Sequence, residues 1–246
     1  MVETAVSVKP SPAAEPAQTG VCIVIPVLNE EESIGGVISR ISRNVVAEII
    51  VADGGSTDKT VEIASAHRAR VLQAGKGYGR ACLAGALAAS DACSIIVTMD
   101  GDGSDVPEEI PKLIAPIAAG NCDFVIGSRA RGVREPGSMA WHQLASGWLI
   151  GAAVGLLCGF RYTDMCAFRA IRRDALMALG MREMTYGWNL EMQMKAARQG
   201  LRILEIPMPY SRRTGGRSKV AGSLYGSLRA GSRILLTFGR VAFEPR

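Results

Sequence analysis

Residues 94–104 of this chain read SIIVTMDGDGS, and this stretch decides the fold. The β-branched run at residues 95–97 predicts a short strand that is buried on both faces, as strands of parallel sheets are. Two aspartates one residue apart, Asp100 and Asp102, follow the run directly, and glycines beside them leave the backbone room to turn. The stretch therefore predicts a buried strand that ends in a pair of carboxylates.

The position of the two aspartates indicates a possible ligand site. In open α/β sheets, ligands bind at the carboxyl ends of the strands. Carboxylate oxygens suit hard cations such as Mg²⁺ or Mn²⁺, and a cation held there would neutralise a diphosphate. A plain polar turn with solvated aspartates is the alternative, and this stretch alone leaves both interpretations open.

The sequence around this stretch alternates between apolar runs and helical patterns from residue 21 to residue 130. This alternation predicts an α/β fold with a doubly wound, mostly parallel sheet flanked by helices. We expect strands at residues 21–27, 47–52, 70–72, 95–97 and 123–127, then within 162–171 and at 201–208. We expect helices from Asn29, near Thr57, before residue 89, from Pro107, and at 141–160, 172–180, 187–199 and 225–243.

The chain divides by composition into a disordered leader at residues 1–20, a domain at 21–220 and a basic amphipathic C-terminal helix at 221–246. The net charge is +5, but the segment from residue 211 onward carries eight Lys and Arg and one acid. This basic end favours an anionic partner, either phosphate groups or an anionic membrane surface. In the last helix, Arg229, Arg233 and Arg240 lie opposite an apolar stripe of Leu224, Leu228, Ile234, Leu235 and Phe238. Such a helix fits either a membrane interface or the domain surface.

Several classes of protein are disfavoured by composition. The six cysteines show no Cys-x-x-Cys pattern and there are only two histidines, so a zinc site is not expected. We expect the cysteines to be reduced thiols in a cytosolic protein. No secretory signal is visible, and the apolar part of residues 136–160 is too short to predict a transmembrane helix. Aromatic residues make up 5% and no nucleic-acid module is recognised, so nucleic acid is not an expected partner.

Five segments in this order resemble family 2 glycosyltransferases with the GT-A fold. Within that family, the resemblance is strongest to the dolichyl-phosphate mannose or glucose synthase-like branch. The segments are VIPVLNEEESI (24–34), DGGSTDKT (53–60), MDGDGS (99–104), GSRARG (127–132), and GWNLEMQMKA through GGRSK (187–219). Together they span nearly everything from residue 21 to residue 220.

The resemblance implies a nucleotide-sugar donor, a UDP- or GDP-hexose, and a divalent ion, Mg²⁺ or Mn²⁺. The implied donor-binding residues are Pro26, Asn29 and Glu30 around the base and ribose, Asp53 at the base, Lys76 in the flanking loop, and Asp100 with Gly101. Asp100 and Asp102 would hold the ion. Ser104 stands where close relatives often place a glutamine that also touches the metal, which leaves the third protein ligand open.

The resemblance also implies a lipid-phosphate acceptor of the polyprenyl type. Arg129 resembles the arginine that grips the acceptor phosphate, and Glu191 falls at an acidic position that faces the acceptor. Residues 217–219, which are Arg217, Ser218 and Lys219, match a basic loop that closes over the phosphates. The segment YTDMCAF at 162–168 replaces the more usual Asp-Pro-x-Ser-Gly-Phe, so acceptor details are expected to differ. An enzyme of this kind would lie in the cytoplasm, at the cytoplasmic face of a membrane.

The expected reaction is a direct displacement at the anomeric carbon with inversion, in which a metal held by Asp102 stabilises the leaving diphosphate. A phosphate acceptor is already anionic and needs no general base. A hydroxyl acceptor needs one, and Glu191 and Asp164 are the candidates. The choice between these acceptor classes stays open.

Other functions fit the sequence less well. The Asp-x-Asp of haloacid-dehalogenase phosphatases normally follows the first strand, whereas this pair follows the fourth. An EF-hand would need a glutamate where Pro111 stands. A sugar nucleotidyltransferase would need a glycine- and arginine-rich loop after the first strand, which is absent. A non-catalytic nucleotide-sugar-binding module remains as an alternative from a different class.

Overall fold

A computed structural model describes residues 20–215 and 224–244 of the chain. It contains a seven-stranded sheet with the order β3-β2-β1-β4-β6-β5-β7. The strands are β1 (Gly20–Val27), β2 (Glu48–Asp53), β3 (Arg70–Gln73), β4 (Cys93–Thr98), β5 (Phe124–Ser128), β6 (Arg169–Arg172) and β7 (Ile203–Pro207). The predicted α/β fold with a mostly parallel sheet is confirmed.

The first four strands form the parallel half of the sheet. β1 lies between β2 and β4, and the register pairs Val27 with Asp53 and Val24 with Thr98. The apolar runs of β1 and β4 are almost wholly buried because helices cover both faces of the sheet. The strand of the Asp-Gly-Asp motif is therefore central, and its carboxyl end lies beside that of β1.

β6 interrupts the parallel order. It pairs antiparallel with β4 on one side and with β5 on the other, while β5 and β7 pair in parallel. Consequently β5 and β7 end at the same edge as β4, and β6 begins there. The expected strand within residues 162–171 is confined to Arg169–Arg172, and the residues before it form a loop on this edge.

Eight helices cover the sheet in the described ranges 20–215 and 224–244. They are α1 (Ile34–Arg40), α2 (Thr60–Ala66), α3 (Tyr78–Ala88), α4 (Ile110–Ala118), α5 (Trp141–Cys158), α6 (Arg173–Ala178), α7 (Trp188–Arg198) and α8 (Leu224–Ala242). A single 3₁₀ turn at Pro107–Glu109 leads into α4. All six cysteines are free thiols, and five of them are buried.

Two helices begin later than the sequence predicts. The acids at residues 30–32 lie before α1 rather than in its first turn, and α2 begins at Thr60 rather than near Thr57. The reason is that the two loops bind each other. Asn29 Oδ1 accepts a hydrogen bond from Thr57 N at 2.8 Å, and Glu30 N donates to Thr60 Oγ1 at 2.8 Å. These contacts between the loops hold Asn29, Glu30 and Thr57 in non-helical positions ahead of α1 and α2.

The C-terminal helix α8 packs against α7. Val241 and Thr237 are buried in this contact, while Leu235 and Leu236 are exposed. Ile234 and Phe238 pack on the core, so the predicted apolar stripe is divided between the domain and solvent. Within the described ranges, no helix is both long and apolar enough to span a bilayer.

The predicted division into leader, domain and terminal helix stays a prediction. Residues 1–19 and 216–223 lie outside the described part of the chain, and Gly20 already belongs to β1. The side chains of Leu224, Leu228 and Arg229, which the predicted amphipathic pattern includes, also lie outside what the structure describes.

Candidate active site

One edge of the sheet collects most of the residues that the sequence singles out. Strands β1, β2, β4, β5 and β7 end at this edge, and the antiparallel β6 begins there. The charged side chains that follow or precede these strand ends are Glu30, Asp53, Asp100, Asp102, Arg129, Asp164 and Arg213. The topology therefore brings together carboxylates and guanidinium groups that are up to 183 residues apart in sequence.

The Asp-Gly-Asp turn gives Asp102 two differently engaged oxygens. Asp102 Oδ1 accepts hydrogen bonds from Ser104 N at 2.9 Å and from Ser104 Oγ at 2.5 Å. Asp102 Oδ2 lies 2.8 Å from Nη1 of Arg213. Ser104 thus holds the carboxylate in place and leaves Oδ2 as the oxygen that points to a cation. Gly101 fits because a Cβ there would press against Val27 and Ile25.

A third aspartate, Asp105, belongs to this acidic cluster and was not singled out by the sequence analysis. Its Oδ2 accepts a hydrogen bond from Asp100 N at 2.9 Å. Burial raises the pKa of Asp105 to about 7 despite that bond, and Asp102 adds to the increase. Burial, then Asp105 and Asp102, raise the pKa of Asp100 well above its usual range. The site crowds negative charge in a way that favours a bound cation. The signal in the sequence was the third acid within six residues.

Arg213 is the second site residue that sequence reasoning missed. Its Nη2 lies 3.0 and 2.9 Å from the two carboxylate oxygens of Glu30, while Nη1 reaches Asp102. The backbone around it is tied to the aspartate turn, since Thr214 N donates to Asp102 O at 3.0 Å and Ser211 N donates to Ser104 O at 2.9 Å. The segment after β7 therefore covers the carboxyl end of β4.

Arg129 and Asp164 form a partly buried ion pair near the acidic cluster. Arg129 donates from Nε and Nη2 to the two oxygens of Asp164, each at 2.7 Å, and Arg129 N also donates to Asp164 Oδ2 at 2.9 Å. The guanidinium lies over the ring of Tyr210, 5.0 Å from the centroid. Arg129 and Asp164, both of which we predicted to act on the acceptor side, thus contact each other.

Glu205, in the middle of β7, holds the loop that carries Asp164. Its Oε1 accepts from Thr163 N at 2.9 Å and from Asp164 N at 3.2 Å. Gln193 Nε2 on α7 donates to Asp164 O at 2.8 Å. The loop that carries Asp164 is therefore fixed on both sides, which limits its movement relative to Arg129.

The loops after β1 and β2 form the predicted donor side. The carboxylate of Asp53 accepts from Ser56 N at 3.0 Å and from Ser56 Oγ at 2.6 Å, so it stabilises its own turn. Asn29 has a positive φ of 52° and bridges to the same turn. Pro26 lies in β1 beside Ala52, and Lys76 is exposed in the loop before α3. Their contacts with a nucleotide stay predictions, and Arg217, Ser218 and Lys219 lie outside the described residues.

Glu191 lies in a different cluster, between α7 and α8. Its Oε2 accepts from the backbone N–H groups of Arg182 at 3.0 Å and Glu183 at 2.6 Å. Its Oε1 lies 3.0 Å from Lys195 Nζ and 3.0 Å from Arg240 Nη2. Burial raises the pKa of this carboxyl, but these donors outweigh burial and hold it below its usual range. Both oxygens are engaged away from the aspartate turn, and a role as base stays a prediction.

The donor set of the aspartate turn fits a magnesium-like ion. Within residues 20–215 and 224–244, no three His, Cys, Asp or Glu side chains converge as a ready-made ion cage. Mg²⁺ usually keeps several waters and binds through one or two carboxylates together with substrate phosphates. Asp100 and Asp102 supply that number of carboxylates, and Asp105 lies beside them. The chemistry of the residues present therefore fits the ion that the sequence predicts.

A family model described as glycosyl transferase family 2 matches residues 22–180. The chain belongs to this family. Its relatives include a glycosyltransferase of Mycobacterium tuberculosis, 37% identical over 86% of this chain and 94% of that protein. An undecaprenyl-phosphate mannosyltransferase of Micrococcus luteus is 34% identical over 84% of this chain and 89% of its own length. A dolichyl-phosphate hexose transferase of Haloferax volcanii is 35% identical over 78% of this chain and 83% of its own length.

Solved structures of glucosyl-3-phosphoglycerate synthase from Mycobacterium tuberculosis share the fold. The complex of that enzyme with Mg²⁺ and UDP has a TM-score of 0.73 at 24% identity and covers 94% of this chain and 82% of the other. Its UDP complex has a TM-score of 0.73 at 23% identity, with 97% and 88% coverage. The family 2 glycosyltransferase expected from the five motifs, and its GT-A-type fold, are confirmed.

Proposed function

We propose that this glycosyltransferase transfers a hexose from a nucleotide-sugar donor to a polyprenyl-phosphate-type lipid, with inversion and with Mg²⁺ or Mn²⁺ as cofactor. The observation that carries the proposal is the juxtaposition of the Asp100–Asp102–Asp105 cluster with the buried cation Arg129 at one sheet edge. A cation-binding cluster suits a diphosphate leaving group, and an arginine beside it suits an anionic acceptor.

The donor half of the proposal rests on the acidic turn. When bound, the divalent ion would act as a Lewis acid on the departing diphosphate. Asp100 and Asp102 would hold it, and Ser104 would keep Asp102 oriented through its two hydrogen bonds. The loops at Asn29 and Asp53 border the same edge and would accommodate the nucleoside. The glucosyl-3-phosphoglycerate synthase of similar fold was crystallised with Mg²⁺ and UDP, and also with Mn²⁺ and UDP, which supports this assignment.

The acceptor half rests on Arg129. Its side chain is held by Asp164, so it is oriented before any acceptor arrives, and orientation of this kind lowers the cost of binding a phosphate. An acceptor phosphate oxygen is already anionic, so no residue has to remove a proton. This agrees with the state of Asp164, whose carboxylate is engaged by Arg129. The names of the Micrococcus luteus and Haloferax volcanii relatives support a lipid phosphate.

A lipid acceptor requires contact with a membrane, and α5 offers a surface for it. Trp141, Trp148, Leu149 and Leu156 on this helix are 79%, 55%, 60% and 88% exposed. The guanidinium of Arg161 lies 5.5 Å from the ring centroid of Trp148, which places a cation beside the apolar face. We propose that α5, together with the basic C-terminal helix, holds the protein peripherally at the cytoplasmic face.

The decisive experiment is a transfer assay with purified protein and a panel of UDP- and GDP-hexoses. The acceptors are a short polyprenyl phosphate and the matching polyprenol in detergent, with Mg²⁺, Mn²⁺ or EDTA. We expect transfer to the phosphate alone, loss with EDTA, and loss in Asp102→Asn. Asp174→Asn, which removes an exposed aspartate on α6, should behave as wild type.

Transfer to the polyprenol but not to the phosphate would assign a hydroxyl acceptor and contradict the role of Arg129. Binding of a nucleotide sugar without transfer to any acceptor would favour the non-catalytic binding module. Turnover that is unchanged in EDTA would remove the metal from the mechanism.

A further inference from the structure

Arg213, near the C-terminal end of the chain, links two acidic side chains from its first half, Glu30 and Asp102. Its Nη1 lies 2.8 Å from Asp102 Oδ2, and its Nη2 lies within 3.0 Å of both oxygens of Glu30. Glu30 and Asp102 are buried to 8% and 7% residual exposure. Without the guanidinium, both buried carboxylates would lack this positive charge, and an unpaired buried charge is costly. Arg213 therefore stabilises the ionised forms of Glu30 and Asp102.

We infer that Arg213 is the counter-cation of the metal site in the unliganded protein and leaves Asp102 when a divalent ion binds there. The inference rests on the proposed function, because it takes Asp102 as a metal ligand. It adds a residue that no motif of the sequence indicated.

The geometry of Asp102 makes the two cations compete for one oxygen. Ser104 engages Oδ1 through its N–H and its hydroxyl, so Oδ2 is the oxygen that remains for a cation. Nη1 of Arg213 occupies the direction from Oδ2 at hydrogen-bond distance. A divalent ion that takes Oδ2 as a ligand would lie within a few ångströms of the guanidinium charge, and the repulsion between the two cations favours displacement of the guanidinium.

Displacement requires the movement of a side chain and not of the whole segment. The backbone on both sides of Arg213 is fixed, because Ser211 N binds Ser104 O and Thr214 N binds Asp102 O. A Cβ on Gly103 would overlap Thr214 Oγ1, so the segment packs closely on the aspartate turn. The displaced guanidinium consequently stays within reach of the site.

The displaced guanidinium then has a phosphate oxygen as its natural partner. Arginine matches phosphate through a planar fork of donors, and it remains charged at any pH of interest. Arg213 would thus offset part of the negative charge of Asp102 and Glu30 before ligands bind and contact a phosphate afterwards. The phosphate could belong to the donor diphosphate or to the acceptor, and separate binding measurements distinguish the two.

The experiment measures Mn²⁺ binding in the absence of nucleotide, by electron paramagnetic resonance of free Mn²⁺, for wild type, Arg213→Gln and Arg212→Gln. Arg212 is the matched control because it removes the same charge one residue away while its Nε donates to Pro136 O at 2.6 Å. We expect Arg213→Gln to tighten Mn²⁺ binding about tenfold. We expect Arg212→Gln to change it less than about twofold, since exposed charges are screened.

The second measurement is the affinity for UDP and GDP, and separately for a short polyprenyl phosphate, at saturating Mn²⁺. We expect Arg213→Gln to weaken one of these phosphate ligands while it tightens the metal alone. A residue with a purely structural role would not move the two affinities in opposite directions. Arg213→Lys keeps the charge, and its metal affinity should fall between wild type and Arg213→Gln; it also serves as the test if the glutamine variant does not fold.

Mn²⁺ affinity in Arg213→Gln equal to or weaker than in Arg212→Gln would overturn the inference. If the wild type binds no Mn²⁺, or if Asp102→Asn leaves its Mn²⁺ binding unchanged, the proposed metal site itself is overturned. The two failures are therefore distinguishable.

Discussion

Asp164 presents both carboxylate oxygens to the guanidinium of Arg129, with Oδ2 at 2.7 Å from Nε and Oδ1 at 2.7 Å from Nη2. Burial alone would raise the pKa of Asp164, but the hydrogen bonds from Arg129 outweigh burial and hold that pKa below its usual range. The carboxylate thus stays ionised at neutral pH and fixes the arginine that we assign to the acceptor.

We expect Asp164→Asn to lower the free energy of unfolding by about 3 kcal/mol, because it leaves a buried guanidinium without its counter-charge. Glu108→Gln is the control, since Glu108 makes an equally two-pronged but exposed pair with Arg40 and should cost less than about 1 kcal/mol. Urea denaturation at pH 7 measures both. Equal losses in the two variants would contradict the assignment of Arg129 and Asp164 as the pair that stabilises this edge.

The raised pKa of Asp105, about 7, predicts a pH-dependent gain in stability on its removal. The unfolded chain loses this proton near pH 4, whereas the folded protein keeps it until about pH 7. Asp105 therefore lowers stability progressively as the pH rises from 4 to 7, and the full penalty is present above pH 7.

We expect Asp105→Asn to stabilise the protein in EDTA by about 1 kcal/mol or more at pH 8, with a smaller gain at pH 5. Asp91→Asn changes a fully exposed aspartate and should give no such pH dependence. Thermal unfolding across this pH range provides the measurement. A gain that is constant with pH would mean that Asp105 does not titrate in this window.

Glu191 is expected to act through α8 and not through the reacting groups. Glu191→Gln removes the charge that faces Lys195 and Arg240, and loss of one partner of a buried ion pair costs about 3 kcal/mol. We expect a lower unfolding midpoint and faster proteolysis of α8, with kcat per folded molecule unchanged. Glu62→Gln, on the exposed side of α2, is the control for both readouts. Loss of kcat with an unchanged unfolding midpoint would favour the alternative in which Glu191 is a general base.

The sequence predicts the parts of this fold that depend on local pattern. The apolar runs of β1 and β4 fix the central strands, and the aspartates after β4 fix the position of the site, because strand ends of a parallel sheet meet at one edge. The predicted helix starts at Asn29 and near Thr57 were wrong in detail, since Thr57 N donates to Asn29 Oδ1 and Glu30 N donates to Thr60 Oγ1 across two loops. Local capping rules do not include such partners.

The residues that sequence reasoning missed are those whose role depends on distant contacts. Arg213 lies 183 residues from Glu30, and only the pairing of β7 with β5 brings it to the aspartate turn. The contact of Glu191 with Arg240 of α8 is likewise one that the sequence did not indicate, and its position facing the acceptor stays a prediction. Periodicity and motif spacing describe neighbours along the chain, whereas these ion pairs depend on strand order for Arg213 and on the packing of α7 against α8 for Glu191.

The exposed face of α5 gives the last prediction, which concerns the membrane. Trp148 is 55% exposed, and Arg161 lies beside its ring, so the pair combines an apolar body with a cation as interfacial residues do. We expect Trp148→Ser to reduce association with vesicles that contain anionic lipid by several-fold, while secondary structure and nucleotide affinity stay unchanged. Leu87→Ser is the matched control, because Leu87 is 59% exposed but lies on α3.

Vesicle co-sedimentation at low and high salt measures the effect. The remaining binding should weaken with salt, because the attraction of the basic residues to anionic lipid is screened within about 10 Å at 0.1 M. Equal vesicle binding by the two variants would show that α5 does not contact lipid and would leave the C-terminal helix as the only proposed membrane contact.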